Sequence, residues 1–162
     1  MMDTMIRVNQ IWNHPIYQEQ LQALQTLEAD RKFCRHTPEH FLDVARLAYI
    51  HALESHASAN KELIYCTALL HDIGRAEQYR SGIPHDEAGA QIAEQILQDL
   101  SFDPSEIQEI TSAIREHRNA ARSDTLSSLI YDADKASRNC FSCPAEKECY
   151  WSAEKKNLTI TY

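Results

Sequence analysis

The sequence predicts an all-α protein, a bundle of five to six main helices. Glycine and proline are scarce, with three and five in 162 residues, too few for a turn-rich β-sandwich or barrel. Apolar side chains recur at helical spacing through most of the chain, and helix-start signals stand between these stretches. The length suits one domain with a sizeable core, so we treat residues 1–162 as a single domain.

Three helices are predicted in the first half of the chain, over about 15–32, 38–57 and 61–70. The second opens at Thr37-Pro38, an N-cap followed by proline at the first helical position. The third is capped by Asn60 and is apolar over most of its length, which indicates a helix buried on most sides.

The second half begins with a predicted polar loop over 75–84, followed by helices over about 86–100, 104–117 and 124–137. Asp103 and Glu106 form the pattern of a capping box, and Ser123 or Asp124 is expected to cap the last helix. The tail after residue 138 differs in composition, and the alternation over 158–162 suits a short strand.

The charge and hydropathy narrow the range of partners. A formal net charge of −8 disfavours a nucleic-acid-binding surface but is compatible with a small phosphorylated substrate. The apolar runs are too short for a membrane span, and no signal peptide is evident at the N-terminus. We therefore expect a cytoplasmic protein that does not act at a membrane. The sequence indicates no oligomeric state.

The pair His71-Asp72, at the end of an apolar run, is the most informative feature. Adjacent residues on a helix diverge by about 100°, so both reach one metal only where the helix ends or bends. Gly74 is expected to end this helix through the left-handed region. The pair is therefore a candidate for two metal ligands held deep in a bundle.

Other candidate ligands are less clear alone. His40 shares a helix face with Val44 and Leu47, and a single histidine at such a position is more often a core histidine bonded to a carbonyl. His85 follows a proline at a helix start, where a solvated histidine is common.

His117 continues the apolar stripe of its helix and should point inward. In the last helix, Asp132 and Asp134 flank the apolar face on opposite sides, so periodicity does not choose between them.

In order and context, these residues resemble the HD superfamily of metal-dependent phosphohydrolases over about residues 30–140. The resemblance implies four shared metal ligands: His40, His71, Asp72 and Asp134. It thereby selects Asp134 over Asp132. His85 and His117 fall where dinuclear members have two further histidines, a six-ligand pattern similar to that of HD-type symmetrical diadenosine tetraphosphate hydrolases.

The resemblance implies hydrolysis of a phosphoester or phosphoanhydride, with a nucleotide as substrate, by attack of a metal-bridging hydroxide. A set of four imidazoles and two carboxylates suits iron or manganese, with cobalt or zinc as alternatives, better than magnesium or calcium. Asp72 would bridge two ions about 3.5–4 Å apart.

Three basic residues directly follow candidate ligands or their glycine: Arg75, Arg118 and Lys135. We expect at least one to bind substrate phosphate, and we assign Arg75 and Lys135, with Asp72, to catalysis; the alternative for each cation is ordinary surface charge. Arg122 is a weaker candidate. His36, one turn before His40, could be a substitute ligand.

Three alternatives remain open. A dinuclear iron oxygenase could use a similar His/Asp set, and a non-catalytic nucleotide-binding module could keep the fold without the reaction. A mononuclear hydrolase would bind its ion through four ligands, leaving His85 and His117 beside the site.

The tail contains a second chemical motif, Cys140-x2-Cys143-x5-Cys149. Three cysteines within ten residues of a cytoplasmic chain suggest a structural zinc or iron–sulfur site, for which Cys34 or His36 would supply a fourth ligand. The alternative is a set of free thiols. Cys66, inside the apolar third helix, is expected to be a core residue.

Overall fold

The computed structural model describes residues 4–119 and 125–162, and in these residues the protein is all-α, as predicted. They form eight α-helices and two 3₁₀ turns. The helices are α1 Ile6–Trp12, α2 Pro15–Leu27, α3 Pro38–Glu54, α4 Lys61–Leu70, α5 Arg75–Ser81, α6 His85–Asp99, α7 Pro104–Glu116 and α8 Thr125–Ala136; the 3₁₀ turns are Cys140–Ser142 and Glu146–Glu148.

Two of the helices were not predicted, because each has only about two turns. The α1 helix buries Val8 and Ile11, too few positions to establish a period. The predicted loop over 75–84 is wrong: most of it is α5, which buries only Ala76 and ends at Gly82 in the left-handed region, at φ 77°. A polar two-turn helix of this kind resembles a loop in composition.

The predicted ends of two helices were too late. α2 stops at Leu27, and the next residue, Glu28, leaves helical geometry at φ −101° and ψ 6° and is buried. α3 stops at Glu54 and is followed by His56 at a positive φ of 52°.

The predicted C-terminal strand is also wrong. Residues 158–162 make no strand, and Leu158, Ile160 and Tyr162 are 47%, 76% and 59% exposed. Their alternating sequence has no partner strand in the described part of the chain, so they form no strand-to-strand hydrogen bonds.

The helix starts predicted from capping residues are confirmed. The Thr37 hydroxyl accepts a hydrogen bond from the His40 amide, and the Asn60 side chain accepts one from the Glu62 amide at 2.8 Å. Asp103 and Glu106 form the reciprocal capping box at α7. The predicted caps Ser123 and Asp124, and Arg122, lie outside the described residues.

The α4 helix is the centre of the bundle. It packs against α1, α3, α7 and α8, and most of its residues are buried. One apolar cluster lies towards α1, α2, α6 and α7, and a second lies towards α3 and α8. The C-terminal end of α4 therefore delivers His71 and Asp72 to the interior, where both are almost fully buried.

Gly74 does not have the conformation predicted for it. Its φ of −77° and ψ of −3° lie in the right-handed region, so a left-handed turn does not end α4. Glycine is required here for a different reason, the close approach of α6. No helix in the described ranges is both long and apolar enough to cross a membrane.

Candidate metal centre

The structure brings all six residues predicted as metal ligands together. They come from five helices and lie at or near helix ends. They form two sets that share Asp72: His40, His71, Asp72 and Asp134 in one, and Asp72, His85 and His117 in the other. In each set the potential ligand atoms lie within 4.8 Å of one another.

The first set faces one oxygen of Asp72. His71 Nε2 lies 3.1 Å from Asp72 Oδ2 and 3.6 Å from Asp134 Oδ1. His40 Nε2 lies 3.3 Å from Asp134 Oδ1 and 3.8 Å from Asp72 Oδ2. Two imidazole nitrogens and two carboxylate oxygens thus converge on one volume.

The second set faces the other oxygen of Asp72. His85 Nε2 and His117 Nε2 lie 3.3 Å and 3.5 Å from Asp72 Oδ1, and 3.2 Å from each other. Asp72 is therefore the one residue shared by both sets, with a different oxygen directed into each.

The four imidazoles are oriented alike, because a hydrogen bond at Nδ1 turns each Nε2 towards the centre. His71 and His117 donate from Nδ1 to the carbonyl oxygens of Ala68 and Ile114, each at 2.6 Å. A carbonyl only accepts, so both Nδ1 atoms carry hydrogen.

The other two rings bond to side chains. His85 Nδ1 lies 2.6 Å from Gln78 Oε1, and His40 Nδ1 lies 3.2 Å from the hydroxyl of Ser137. Because the Ser137 hydroxyl donates to the carbonyl of Asp134 at 2.7 Å, it accepts from His40. Such Nδ1 bonds are typical of metal-binding histidines.

Two buried polar atoms of this centre have no hydrogen-bond partner among the described residues, and bound cations would serve as partners instead. His71 Nε2 and Asp72 Oδ2 are buried without a hydrogen-bond partner, although buried polar atoms are nearly always satisfied. The Nε2 atoms of His85 and His117 converge on a carboxylate oxygen and on each other. The donor set therefore fits a site for more than one metal ion.

The pKa shifts at this centre also fit a site that binds cations. Although burial opposes both ionisations, Asp72 and Asp134 raise the pKa of His71 to about 10, and His71 and Arg75 hold the pKa of Asp72 well below its usual range. The pocket thus stabilises positive charge between these side chains. Burial lowers the pKa of His85, which favours the neutral ring that a metal requires.

His36, named above as a possible substitute ligand, lies beside the centre but belongs to neither donor set. Its Nε2 is 3.7 Å from Asp72 Oδ2, and its Nδ1 is 2.6 Å from Oε1 of buried Glu28. Burial lowers the pKa of His36 to about 4, so the neutral ring directs a lone pair at Asp72. Glu28, which also accepts a hydrogen bond from the hydroxyl of Tyr79, was missed because nothing in its local sequence distinguishes it.

The three predicted cations differ in position. Arg75 donates from Nε to Asp72 Oδ1 at 2.8 Å and is partly exposed. Lys135 places its ammonium 3.8 Å from the centre of the Tyr131 ring, on its own helix, and Arg118 is exposed. Of these three, Arg75 is the one that contacts the six-residue centre.

A cation that sequence reasoning missed is Arg138. Its Nη2 lies 3.2 Å from His40 Nε2, and its Nη1 donates to the carbonyl of Arg35 at 2.8 Å. Arg138 lies two residues beyond the end of α8, so helical spacing gave no signal for it.

The tail cysteines lie beside this centre. Cys34, Cys140, Cys143 and Cys149 all line one cavity of about 340 Å³, whose wall also includes His40 and Arg138. Cys66 is buried in the apolar core, as predicted.

Comparison with known proteins identifies the family to which this chain belongs. The HD domain family model matches residues 37–139. An uncharacterized protein of Clostridium beijerinckii is 44% identical over 158 residues, covering 98% of this chain and all of its own length.

A crystal structure described as a predicted HD superfamily hydrolase, from an uncultured Thermotogales bacterium, has the same fold. Its TM-score is 0.66 at 24% identity, over 88% of this chain and 80% of the other. The family match covers well over half of the chain and includes the residues of the centre, so this protein belongs to the HD domain family.

Proposed function

We propose that this protein is a metal-dependent phosphohydrolase that cleaves a phosphoester or phosphoanhydride bond of a nucleotide. Its HD domain supports metal-dependent hydrolysis as the general class of activity. The observation that carries the proposal is the position of Asp72, whose two oxygens face two separate sets of nitrogen and oxygen donors. This arrangement suits a carboxylate that bridges two cations.

In this proposal, His40, His71, Asp72 and Asp134 hold one ion, and Asp72, His85 and His117 hold the other. The mixed nitrogen and oxygen donors, without a thiolate, favour iron or manganese over magnesium or calcium, with cobalt or zinc as alternatives. When bound, the ions would supply a nucleophile at neutral pH by lowering the pKa of water, and would offset phosphate charge.

The protein's own residues prepare the site for this chemistry. The Nδ1 hydrogen bonds hold the imidazoles in one orientation before metal or substrate arrives, so little reorganisation is required. Burial of His71, Asp72, His85 and His117 excludes bulk water from the inner face of the site. Electrostatic interactions are stronger in such surroundings.

Two guanidinium groups lie beside the donors and could bind substrate phosphate. Arg75 uses Nε for Asp72, which leaves its terminal nitrogens for an anion. Arg138 lies against His40 on the other side. Lys135 and Arg118 remain weaker candidates for substrate contacts, since Lys135 lies over Tyr131 and Arg118 is exposed.

The preference for a nucleotide rests on the resemblance to HD enzymes that split dinucleoside polyphosphates. A small anionic substrate also agrees with arginines beside an electron-rich centre in an otherwise acidic protein. A location in the cytoplasm remains part of this proposal.

The test is metal analysis followed by a hydrolysis screen over nucleotides and dinucleoside polyphosphates, using wild type and the His71→Ala, His117→Ala and His51→Ala variants. His51 is the control, because it lies on α3 with His40 but about 16 Å further along the helix axis. We expect His71→Ala to lose hydrolysis, His117→Ala to bind one ion fewer, and His51→Ala to match wild type.

Unchanged hydrolysis in His71→Ala would exclude the proposed centre, and full metal content in His117→Ala would exclude the second ion. Oxygen consumption without hydrolysis of any phosphate substrate would instead indicate the oxygenase alternative. Nucleotide binding without either reaction would indicate a binding module.

A further inference from the structure

We propose that Cys34, Cys140, Cys143 and Cys149 bind a [4Fe–4S] cluster in the cavity between the segment before α3 and the C-terminal tail. All four are free cysteines and all four line this cavity. Cys140 is buried and the other three are partly buried, so the thiols are screened from solvent without being sealed in the core. Cys34 is distant from the other three in sequence, and only the fold brings it to them.

The spacing of the thiols favours a cluster over a single zinc ion. Tetrahedral zinc, with Zn–S bonds of about 2.3 Å, brings its sulfur atoms to within about 3.8 Å of one another. In the described part of the chain, the compact donor sets whose atoms lie within 4.8 Å of one another include no cysteine. A [4Fe–4S] cluster accepts wider spacing, because each thiolate binds a different iron atom.

The tail buries little apolar surface of its own. Of residues 138–162, only Cys140 and Ala145 are buried, while Tyr150 and Ile160 are 81% and 76% exposed. A segment with so little buried apolar surface usually requires a disulfide, a metal or another staple to remain folded.

Polar contacts nevertheless hold the tail in a defined position. Asn157 donates to the carbonyls of Lys135 and Arg138, and its own carbonyl accepts from the Phe141 amide. The Phe33 and Tyr150 rings meet edge to face, and Lys32 pairs with Glu148. The Phe33–Tyr150 and Lys32–Glu148 contacts join the segment that carries Cys34 to the segment that carries the other three thiols.

The cavity offers two arginines to an anionic cluster. Arg35 and Arg138 line it, and they would offset part of the negative charge of four thiolates. Three carboxylates also line the cavity: Glu39, Asp43 and Glu146. Glu146 is neutralised by Lys156, whose ammonium lies 2.9 Å from its Oε1.

The cavity shares a wall with the candidate metal centre. Arg138 contacts His40, and Ser137 accepts from the same ring. A cluster that holds the tail would therefore also hold the residues that orient His40. The cluster itself does not depend on the proposed function, because its ligands belong to neither donor set of the metal centre.

The test uses the full chain purified without oxygen, with iron and acid-labile sulfide measured per chain and electron paramagnetic resonance recorded after reduction. Wild type is expected to contain sulfide and iron at close to four each per chain, with iron above that if the metal centre also holds iron. Cys34→Ser and Cys143→Ser should each lose at least nine-tenths of the sulfide. Cys66→Ala is the matched control and should retain it.

His71→Ala separates the two sites, because it should keep its sulfide even if hydrolysis is lost. Helix content measured by circular dichroism shows whether the cysteine variants remain folded. If they unfold, the sulfide content of wild type alone decides whether the protein binds the cluster. Stoichiometric zinc without sulfide, or a protein with neither sulfide nor thiol-bound metal after anaerobic purification, would overturn the proposal.

Discussion

Gly74 and Gly89 touch backbone to backbone where the end of α4 meets the start of α6. A Cβ on Gly74 would lie 2.7 Å from Cα of Gly89, and closer still to the Gly89 nitrogen and the His85 carbonyl oxygen. This contact brings the chain segment that carries Asp72 against the one that carries His85. The two donor sets can share Asp72 because no side chain separates these segments.

The first prediction concerns this contact. Gly74→Ala should destabilise the fold by about 3 kcal/mol or more, because the methyl group meets backbone atoms that cannot rotate away. It should also reduce metal binding, since α6 would have to move with His85. Urea unfolding and metal analysis of the purified variant measure the two effects.

Gly82→Ala is the matched control for this prediction. Its Cβ would meet nothing within 4 Å, but its φ of 77° disfavours a side chain. We expect a loss of about 1 kcal/mol with unchanged metal content. Equal losses for the two variants would show that the glycine contact has no special role.

The second prediction separates the two aspartates of α8. Asp134→Ala should reduce hydrolysis at least a hundredfold and weaken metal binding, because Asp134 Oδ1 faces both His40 and His71. Asp132→Ala should retain metal, because Asp132 belongs to neither donor set. Steady-state kinetics and metal content test both variants, and the reverse result would mean that Asp132 is the ligand.

Much of the fold and the centre could be predicted, because the signals were local. Capping residues gave the starts of α3, α4 and α7. All six candidate ligands lie together in the structure, although periodicity alone left Asp132 and Asp134 undecided. The resemblance to a family supplied that choice.

What could not be predicted depends on contacts between distant segments. The role of Gly74 follows from the approach of α6, and the buried Glu28 that bonds to His36 comes from the end of a different helix. Gln78, which orients His85, lies on a helix too polar and short to be recognised. Arg138 contacts His40 only after the chain leaves α8.

The third prediction concerns phosphate binding by Arg75. Arg75→Ala should lower kcat/KM by about ten- to a hundredfold, which corresponds to the roughly 1.5–3 kcal/mol of a hydrogen bond to a charged group. Arg80→Ala, at an exposed position on the same helix, should change it less than twofold.

Because Arg75 also contacts Asp72, metal affinity is measured alongside the kinetics. A loss of kcat/KM at saturating metal supports a role towards the substrate. Recovery of wild-type kcat/KM on adding metal would assign Arg75 to the metal centre alone.

The fourth prediction concerns stability away from the site. Arg7 donates to both oxygens of Glu106 and to Glu62, and its guanidinium carbon lies 4.4 Å from the centre of the Phe102 ring. These contacts fasten α1 to α4 and α7. Arg7→Gln should therefore lower the free energy of unfolding by about 1–2 kcal/mol, a value reduced because the pair is partly exposed.

The destabilisation caused by Arg7→Gln should become smaller as the pH falls. The hydrogen bond from Arg7 lowers the pKa of Glu106 below its ordinary value of 4.5. A group whose pKa is lowered by folding stabilises the fold above its unfolded pKa, and this contribution is lost as the pH falls through the folded pKa. The destabilisation by Arg7→Gln should thus be full at pH 6–7 and shrink below about pH 4.

Urea unfolding of wild type and Arg7→Gln across this pH range measures the difference between the two proteins, in which the titration of the metal centre cancels. Arg46→Gln serves as the control, because Arg46 is 60% exposed and its ion pair with Asp43 is long, at 4.0 Å. This substitution should change the free energy of unfolding by less than about 0.5 kcal/mol. A difference between wild type and Arg7→Gln that stays constant from pH 7 to pH 3 would show that packing on Phe102, rather than the carboxylates, accounts for the contribution of Arg7.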